Sequence, residues 1–399
     1  MKSSKVNFLL EHPKFRAEMN KLKEIIFFFP FYHFGGAERV HIDILKVFKN
    51  ERSSCFITEN SDNAVFKTEF EQNTHVILYY KLKSKKYKIY LRTIAKAINK
   101  KKHPIVFGCN TLFFYELIPY LEDHVKIIDL IHAFSYELPY APEKLSIPVA
   151  ERIDARVVLG QKTKNDFVAL YNENNISLQL LDKIHIIKNK VEIPENYSAN
   201  ENLEILKVLF IARNSFEKRP HYVIEIAKKC LEKKLNVNFT FVGDFEKKFT
   251  NLENIEIIGS IDSSDKMQEI YKNHHVLLIT SFREGFPMVI LEGMANGVVP
   301  ISTNVGEISE VINHENKNGF LINDYNLNLY NSAEKNISNQ FLNFEKEQST
   351  IEDFVNTIIT LQNNENLYHE YSKNAYQAVK NNFSEQAFAN SYRNLFQKK

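Results

Sequence analysis

Residues 276–302 read VLLITSFREGFPMVILEGMANGVVPIS. Val276–Thr280 is a short aliphatic run that suits a buried strand. A polar loop with Arg283, Glu284 and Gly285 follows, and Pro287 marks a helix start. The helix beyond it is apolar at Val289, Ile290, Leu291 and Met294, and Val299–Ser302 is strand-like again. Strand, helix and strand in such short compass form a βαβ unit, which requires parallel strands. Glu284 stands at the mouth of the turn and Glu292 inside the helix. From Pro287 to Glu292 a helix rises only ~7.5 Å, about the span of a ribose plus a phosphate. The free N–H groups and positive dipole end between them are a seat for phosphate. The pattern predicts a site for a phosphorylated sugar or nucleotide.

The same rhythm extends in both directions. Upstream, strands are predicted at Ile25–Phe29, Ser54–Thr58, Val76–Tyr80, Ile105–Gly108, Ile127–Ile131, Val157–Gly160 and Ile184–Ile187, with helical patterns such as Glu38–Phe48 and Thr163–Tyr171 between them. After Pro194 the polar stretch ENYSANENLE reads as a linker. Strands resume at Leu206–Ile211, Asn238–Val242, Ile255–Ile258, Val276–Thr280 and Val299–Ser302. Two successive βα series predict two Rossmann-like, doubly wound parallel sheets. Ligands of such sheets bind beyond the C-terminal strand ends, so a cleft between domains is the expected site. The expected organisation is a leader at 1–24, an acceptor-side domain at 25–195, a nucleotide-sugar domain at 205–375 and a final helix at 376–399 crossing back to the first domain. Residues 326–350, rich in Asn, Ser, Glu and Lys, read as a polar insertion.

A chain of 399 residues exceeds one typical core, in keeping with two domains. Its 44% hydrophobic and 25% charged residues are those of an ordinary globular protein, and a net charge of +2 does not indicate nucleic acid. Cys55, Cys109 and Cys230 are too sparse for a disulfide framework and lack metal-ligand spacing. Neither a signal-peptide core nor a run long enough to span a membrane is found, and a cytoplasmic location is expected.

Three constellations could carry chemistry. In FFFPFYHFGGAERV a strand ends at Pro30 and Gly35–Gly36 opens a helix; the pair lets backbone approach a ligand, or simply makes a tight connection. In LFIARNSFEKRP a strand delivers Arg213, Lys218 and Arg219 to a loop, which suits a diphosphate or a solvated basic turn. In the third, Glu292 on an apolar helix needs a partner, and a ribose diol is one. Downstream, Gly306–Ile308 opens another turn, with Glu310 complementing its dipole.

Taken in order, GGAERV, FIARNSFEKRP, EGFPMVILE, GMANGVVPIS, GEISEVI and NGFLI resemble the retaining family 4 glycosyltransferases of the GT-B fold. The resemblance runs from about Ile25 to the C-terminus and is more specific in the second half. It implies that Gly35 and Gly36 lie over the donor diphosphate, that Arg213 and Lys218 neutralise it, and that Glu292 binds the donor ribose. It further implies that Glu284, with Gly285, Phe286 and Pro287, holds the donor sugar, and that His132, in KIIDLIHAFSYE, is the active-site histidine. No cofactor and no metal are implied beyond the nucleoside diphosphate sugar itself. Three positions depart from the family pattern: Ala212 for a glycine, Gly293 for an alanine and Glu307 for a second glycine.

Between Gln72 and Tyr115 no acidic residue occurs, and KLKSKKYKIYLRTIAKAINKKK holds ten cations among Tyr79, Tyr80, Tyr87 and Tyr90. On a helix, Lys88, Arg92, Lys96 and Lys100 form one stripe. Residues 79–102 could face anionic lipid or simply be a solvated basic helix. No nucleic-acid motif accompanies them. The acceptor implied by the resemblance is a glycan or lipid-linked hydroxyl in bacterial surface polysaccharide synthesis, such as capsule or lipopolysaccharide. A sugar-nucleotide epimerase and a non-catalytic GT-B accessory subunit are the alternative readings.

Overall fold

The computed structural model describes residues 13–33, 35–78, 87–135, 140–246, 249–261, 263–325 and 344–397. The chain divides into two compact units: 1–187 with 389–399, and 188–388. The core of the predicted insertion at 326–350 and the basic residues 81–86 lie outside the described residues.

The first unit holds a seven-stranded sheet ordered β3-β2-β1-β4-β5-β6-β7. Its strands are β1 (Ile25–Phe29), β2 (Ser54–Ile57), β3 (His75–Leu78), β4 (Ile105–Cys109), β5 (Lys126–Ile131), β6 (Ala155–Val158) and β7 (Ile184–Ile186). Every pairing is parallel. A parallel sheet is covered on both faces, which explains why β2 and β4 are buried along their whole length. One face packs Phe28 on Phe56, their rings stacked 4.8 Å apart, with Phe113 and Phe114 beside them. On the other, Phe27 and Phe107 meet Phe396, which the chain's last residues contribute to this unit. β6 runs two residues earlier than the sequence predicts because Gly160 caps the helix Gln161–Glu173. Asp129 on β5 and Arg156 on β6 form a buried ion pair at 2.7 Å, and Tyr171 hydroxyl accepts a further bond from the guanidinium.

The segment expected to be a leader is part of this unit where it is described. Phe15, Met19 and Leu22 lie in the core, and Phe15 sits edge-on to Tyr90 at 5.0 Å. Tyr90 is therefore a core residue, which corrects its place among the aromatics of the basic stripe. It lies on the helix α2 (Tyr87–Asn99); earlier in the unit runs α1 (Gly36–Val47), with the short helix Lys67–Asn73 between them.

The second unit holds six parallel strands ordered β10-β9-β8-β11-β12-β13. They are β8 (Leu206–Ile211), β9 (Val237–Val242), β10 (Ile255–Gly259), β11 (Val276–Ile279), β12 (Val299–Thr303) and β13 (Phe320–Ile322). β13 was not foreseen as a strand; three residues after a glycine carry too little periodicity to declare one. The helices α3 (Pro220–Glu232), α4 (Ser264–Lys272), α5 (Met288–Ala295), α6 (Phe344–Gln362) and α7 (Glu365–Asn382) cover this sheet. Both sheets reverse strand order at one point, between β1 and β4 in the first unit and between β8 and β11 in the second. Such switch points, at the C-terminal strand ends, are where α/β folds bind ligands.

Candidate functional site

At the second unit's switch point, the loops after β8 and β11 meet. Lys218 Nζ lies 2.6 Å from Glu284 Oε1, with side chains only 20% and 9% exposed. Ser281 hydroxyl donates to the same carboxylate oxygen at 2.6 Å. Sequence reasoning brought Lys218 and Glu284 to one site but not into contact; their separation of 66 residues left no local signal. Arg213, 75% exposed, pairs with Glu217 at 3.1 Å, and Arg283 reaches the other oxygen of Glu217 at 3.1 Å. Neither Glu217 nor Arg283 was singled out in the sequence. Together they make Arg213 the exposed member of a cationic pair, with the partly buried Arg283 on the other oxygen of Glu217.

The loop is anchored from beneath. Arg219, at φ 49°, is fully buried, pairs with the equally buried Asp324 at 2.7 Å and stacks over Tyr222. Its guanidinium donates to the carbonyls of Thr280 and Ser281, and Thr280 hydroxyl donates back to Lys218 carbonyl at 2.8 Å. Arg219, grouped with the diphosphate cations from sequence, is therefore a structural residue. It fixes the two strand ends that carry Lys218 and Glu284.

Gly285, Phe286 and Pro287 lead into α5, with Pro287 at its N-cap. Phe286 is buried and its ring lies 5.6 Å from Phe383, so this residue offers a ligand only its backbone. The loop after β12 closes against this turn: Glu307 N–H donates to Gly285 carbonyl at 3.0 Å, and Gly306 adopts φ +57°. A Cβ at Gly306 would overlap the Glu284 carbonyl and stand 2.5 Å from that of Gly285. Glu307, the departure from the family's second glycine, is buried rather than a surface charge.

Glu292, on α5, has a protein partner: Tyr271 hydroxyl donates to its Oε2 at 2.8 Å. Tyr271 is buried, and burial together with the Glu292 carboxylate drives its phenol far above its ordinary range, so it stays a donor. At Gly293, beside this pair, a Cβ would sit 3.2 Å from a Leu277 methyl, a tight contact.

In the first unit, Gly35 caps α1 with an extended backbone. Its lack of a side chain matters because a Cβ would overlap the Glu38 carboxylate, which folds back over the helix start with His33 Nε2 3.6 Å from it. Gly36 is the first helical residue. His132 follows β5, half-buried, with its Nε2 3.2 Å from Nε2 of the fully buried His41. Burial lowers His132 to about 4, and burial and the neighbouring ring lower His41 well below the usual histidine range. Both imidazoles are neutral at pH 7. Cys109, at the end of β4, completes a cluster in which one ligand atom from each residue lies within 4.8 Å of the others. Three segments of chain build it, which spacing along the sequence could not reveal.

Residues 192–340 match the family described as glycosyl transferases group 1. Over 294 residues the chain is 28% identical to the capsular polysaccharide biosynthesis glycosyltransferase CapH of Staphylococcus aureus, covering 69% of this chain and 80% of that protein. Among solved structures, Anabaena HepE in complex with UDP and glucose superposes with a TM-score of 0.69 at 16% identity, covering 93% of this chain and 98% of that one. A glycosyltransferase from Rickettsia africae superposes with a TM-score of 0.63 at 18% identity, covering 94% and 99%. The two-sheet architecture is thus that of GT-B glycosyltransferases.

Proposed function

We propose that this chain, whose residues 192–340 match the glycosyl transferases group 1, moves a sugar, with retention of anomeric configuration, from a nucleoside diphosphate sugar to a hydroxyl of a glycan or lipid-linked acceptor. The carrying observation is the Lys218–Glu284 pair at the switch point of the second sheet, with Arg213 on the same loop. As the bond to the sugar stretches, the leaving diphosphate gains negative charge. Lys218 and Arg213 stabilise that charge more in the transition state than in the ground state, and this difference is what accelerates transfer. Glu292 holds the ribose through the carboxylate oriented by Tyr271.

Glu284 positions the sugar rather than attacking it. Its Oε1 accepts from both Lys218 and Ser281, which draws electron density away from a nucleophile. This favours a same-face displacement. His132, neutral, offers a hydrogen bond near the reacting carbon. No metal has a role in this scheme, since fixed cations supply the charge. The CapH relation supports surface polysaccharide synthesis as the setting. Among the described residues no helix is long and apolar enough to cross a membrane. The exposed stripe of Lys88, Arg92, Lys96 and Lys100 supports a peripheral position on the cytoplasmic face.

Thermal-shift measurement against UDP-, GDP-, ADP- and dTDP-sugars tests the reading, with UDP-sugars first because HepE was solved with UDP. One nucleotide family should stabilise the protein, by ~2.7 kcal/mol at a hundredfold excess over Kd. Stabilisation by none of them, with undiminished turnover in Lys218→Ala, sinks the proposal.

A further inference from the structure

We propose that His41, Cys109 and His132 form a binding site for a zinc-class divalent cation, coordinated by one ring nitrogen from each histidine and the Cys109 thiolate. The two Nε2 atoms are 3.2 Å apart. Tetrahedral bonds of ~2.0–2.1 Å would place two nitrogens ~3.3 Å apart, so the histidines already stand at the edge of a coordination tetrahedron. Cys109 Sγ falls within 4.8 Å of one ring nitrogen of each histidine. A Zn–S bond of ~2.3 Å requires it to move inward by about 1 Å, within the reach of a side-chain adjustment.

The donor set suits this class of ion. Two imidazoles and one thiolate are borderline-soft ligands that favour zinc, cobalt(II) or cadmium over magnesium or calcium. The site is built on rigid elements: α1 for His41, the end of β4 for Cys109 and the end of β5 for His132. His41 is held by a stack on Phe29 at 4.1 Å. Burial, and then the nearby Glu38 and Asp129 carboxylates, hold the Cys109 thiol well above its usual range, so the thiolate forms as the cation displaces its proton. Half-buried His132 provides the approach, and the fourth position is left for water or an incoming ligand. On binding, the thiol proton is released to solvent and no redox change occurs.

The site rests on this geometry alone. Its consequence rests on the function proposed above: a cation on His132 removes the imidazole from the reaction, so zinc-class ions inhibit transfer reversibly. The binding test does not depend on activity. Cobalt(II) titrated into the untagged, reduced full-length protein should give a one-to-one thiolate-to-cobalt charge-transfer band in the near ultraviolet, displaced by zinc. Cys109→Ser should abolish the band, and His41→Gln should weaken affinity at least about tenfold. Absence of the band in the wild type overturns the proposal, as does its survival in Cys109→Ser. Should Cys109→Ser fail to fold, His132→Ala carries the test: its ring is not core, and unchanged cobalt affinity there equally overturns the site.

Discussion

Lys218 and Glu284 are bonded to each other across the point where the second sheet reverses its strand order, one from the loop after β8 and one from the loop after β11. The proposed function gives each a different part of one ligand: the cation a diphosphate, the acid sugar hydroxyls. Lys218→Ala should raise donor KM and lower kcat, together reducing kcat/KM by ~100-fold. It also leaves Glu284 with Ser281 but no counter-charge. For a pair that remains partly exposed, a stability loss of ~1–2 kcal/mol is expected. Lys218→Ala combined with Glu284→Gln should recover most of that stability and none of the activity, as read from a double-mutant cycle by denaturant unfolding.

Tyr271 and Glu292 separate binding from chemistry. Tyr271→Phe deletes the donor to Glu292 Oε2 while keeping the ring in its buried place. The carboxylate keeps its charge but loses orientation, so donor KM should rise several-fold with kcat little changed. Glu292→Gln should weaken donor binding more. An unchanged KM in both variants would remove the ribose role.

Acid should destabilise both units. Burial lowers His132 in the first unit and His275 in the second to about 4. In the unfolded chain each takes up its proton near ~6.5. Between these values the unfolded state binds more protons, so stability is complete above pH 6.5 and is lost as pH falls towards 4. The ceiling is ~3 kcal/mol per group at ~1.4 kcal/mol per tenfold change, less for His132, which retains some solvent contact. Melting temperatures followed from pH 7.5 to 4.5 should decline, and His275→Gln should flatten the decline. A variant slope equal to that of the wild type would assign the loss elsewhere.

The membrane expectation now rests on charge rather than on aromatics. Tyr90 is buried against Phe15, and Tyr79 and Tyr80 lie outside the described residues. What remains is the exposed face of α2 and the residue beyond it, with Lys88, Arg92, Lys96 and Lys100. At ~1 kcal/mol per basic residue this gives weak, salt-sensitive attachment to anionic vesicles. Sedimentation with phosphatidylglycerol vesicles should fall when Arg92, Lys96 and Lys100 are all changed to Gln. Equal sedimentation with neutral and anionic vesicles at low salt argues against a membrane face.

Alternation of apolar runs with helical patterns located twelve of the thirteen strands among the described residues, because a parallel strand covered on both faces, such as β2 or β4, is apolar along most of its length. Boundaries drifted where capping decided them, as at Gly160. In the second unit Glu284 and Glu292 could be singled out because they are close in sequence, one in a strand-to-helix turn and the other among the apolar residues of a helix. Their partners were not. Tyr271 and Ser281 read as ordinary helix and loop residues, yet they donate to Glu292 and Glu284, and Arg283 likewise reaches Glu217 only in the folded chain. Arg219 was misjudged for a related reason: charge next to Lys218 looks like more of the same surface, and nothing local announces that Asp324, 105 positions later, buries it.

Gly306 tests whether the loop after β12 shapes the donor site. Its φ of +57° disfavours any side chain, and a Cβ would strike the carbonyls of Glu284 and Gly285. Backbone on both sides of the contact cannot rotate away as a side chain could. Gly306→Ala should therefore cost ~1–3 kcal/mol of stability and push the Glu284–Phe286 turn from its place, weakening the Glu307 N–H bond to Gly285. Because Glu284 then leaves Lys218, kcat should fall at least about tenfold, while far-ultraviolet circular dichroism stays the same. Glu307→Gln provides the contrast: it preserves the backbone bond to Gly285, so its effect on kcat should be much smaller than that of Gly306→Ala. If the two variants lose activity equally, the Glu307 carboxylate itself, and not the packing of the two loops, governs the site.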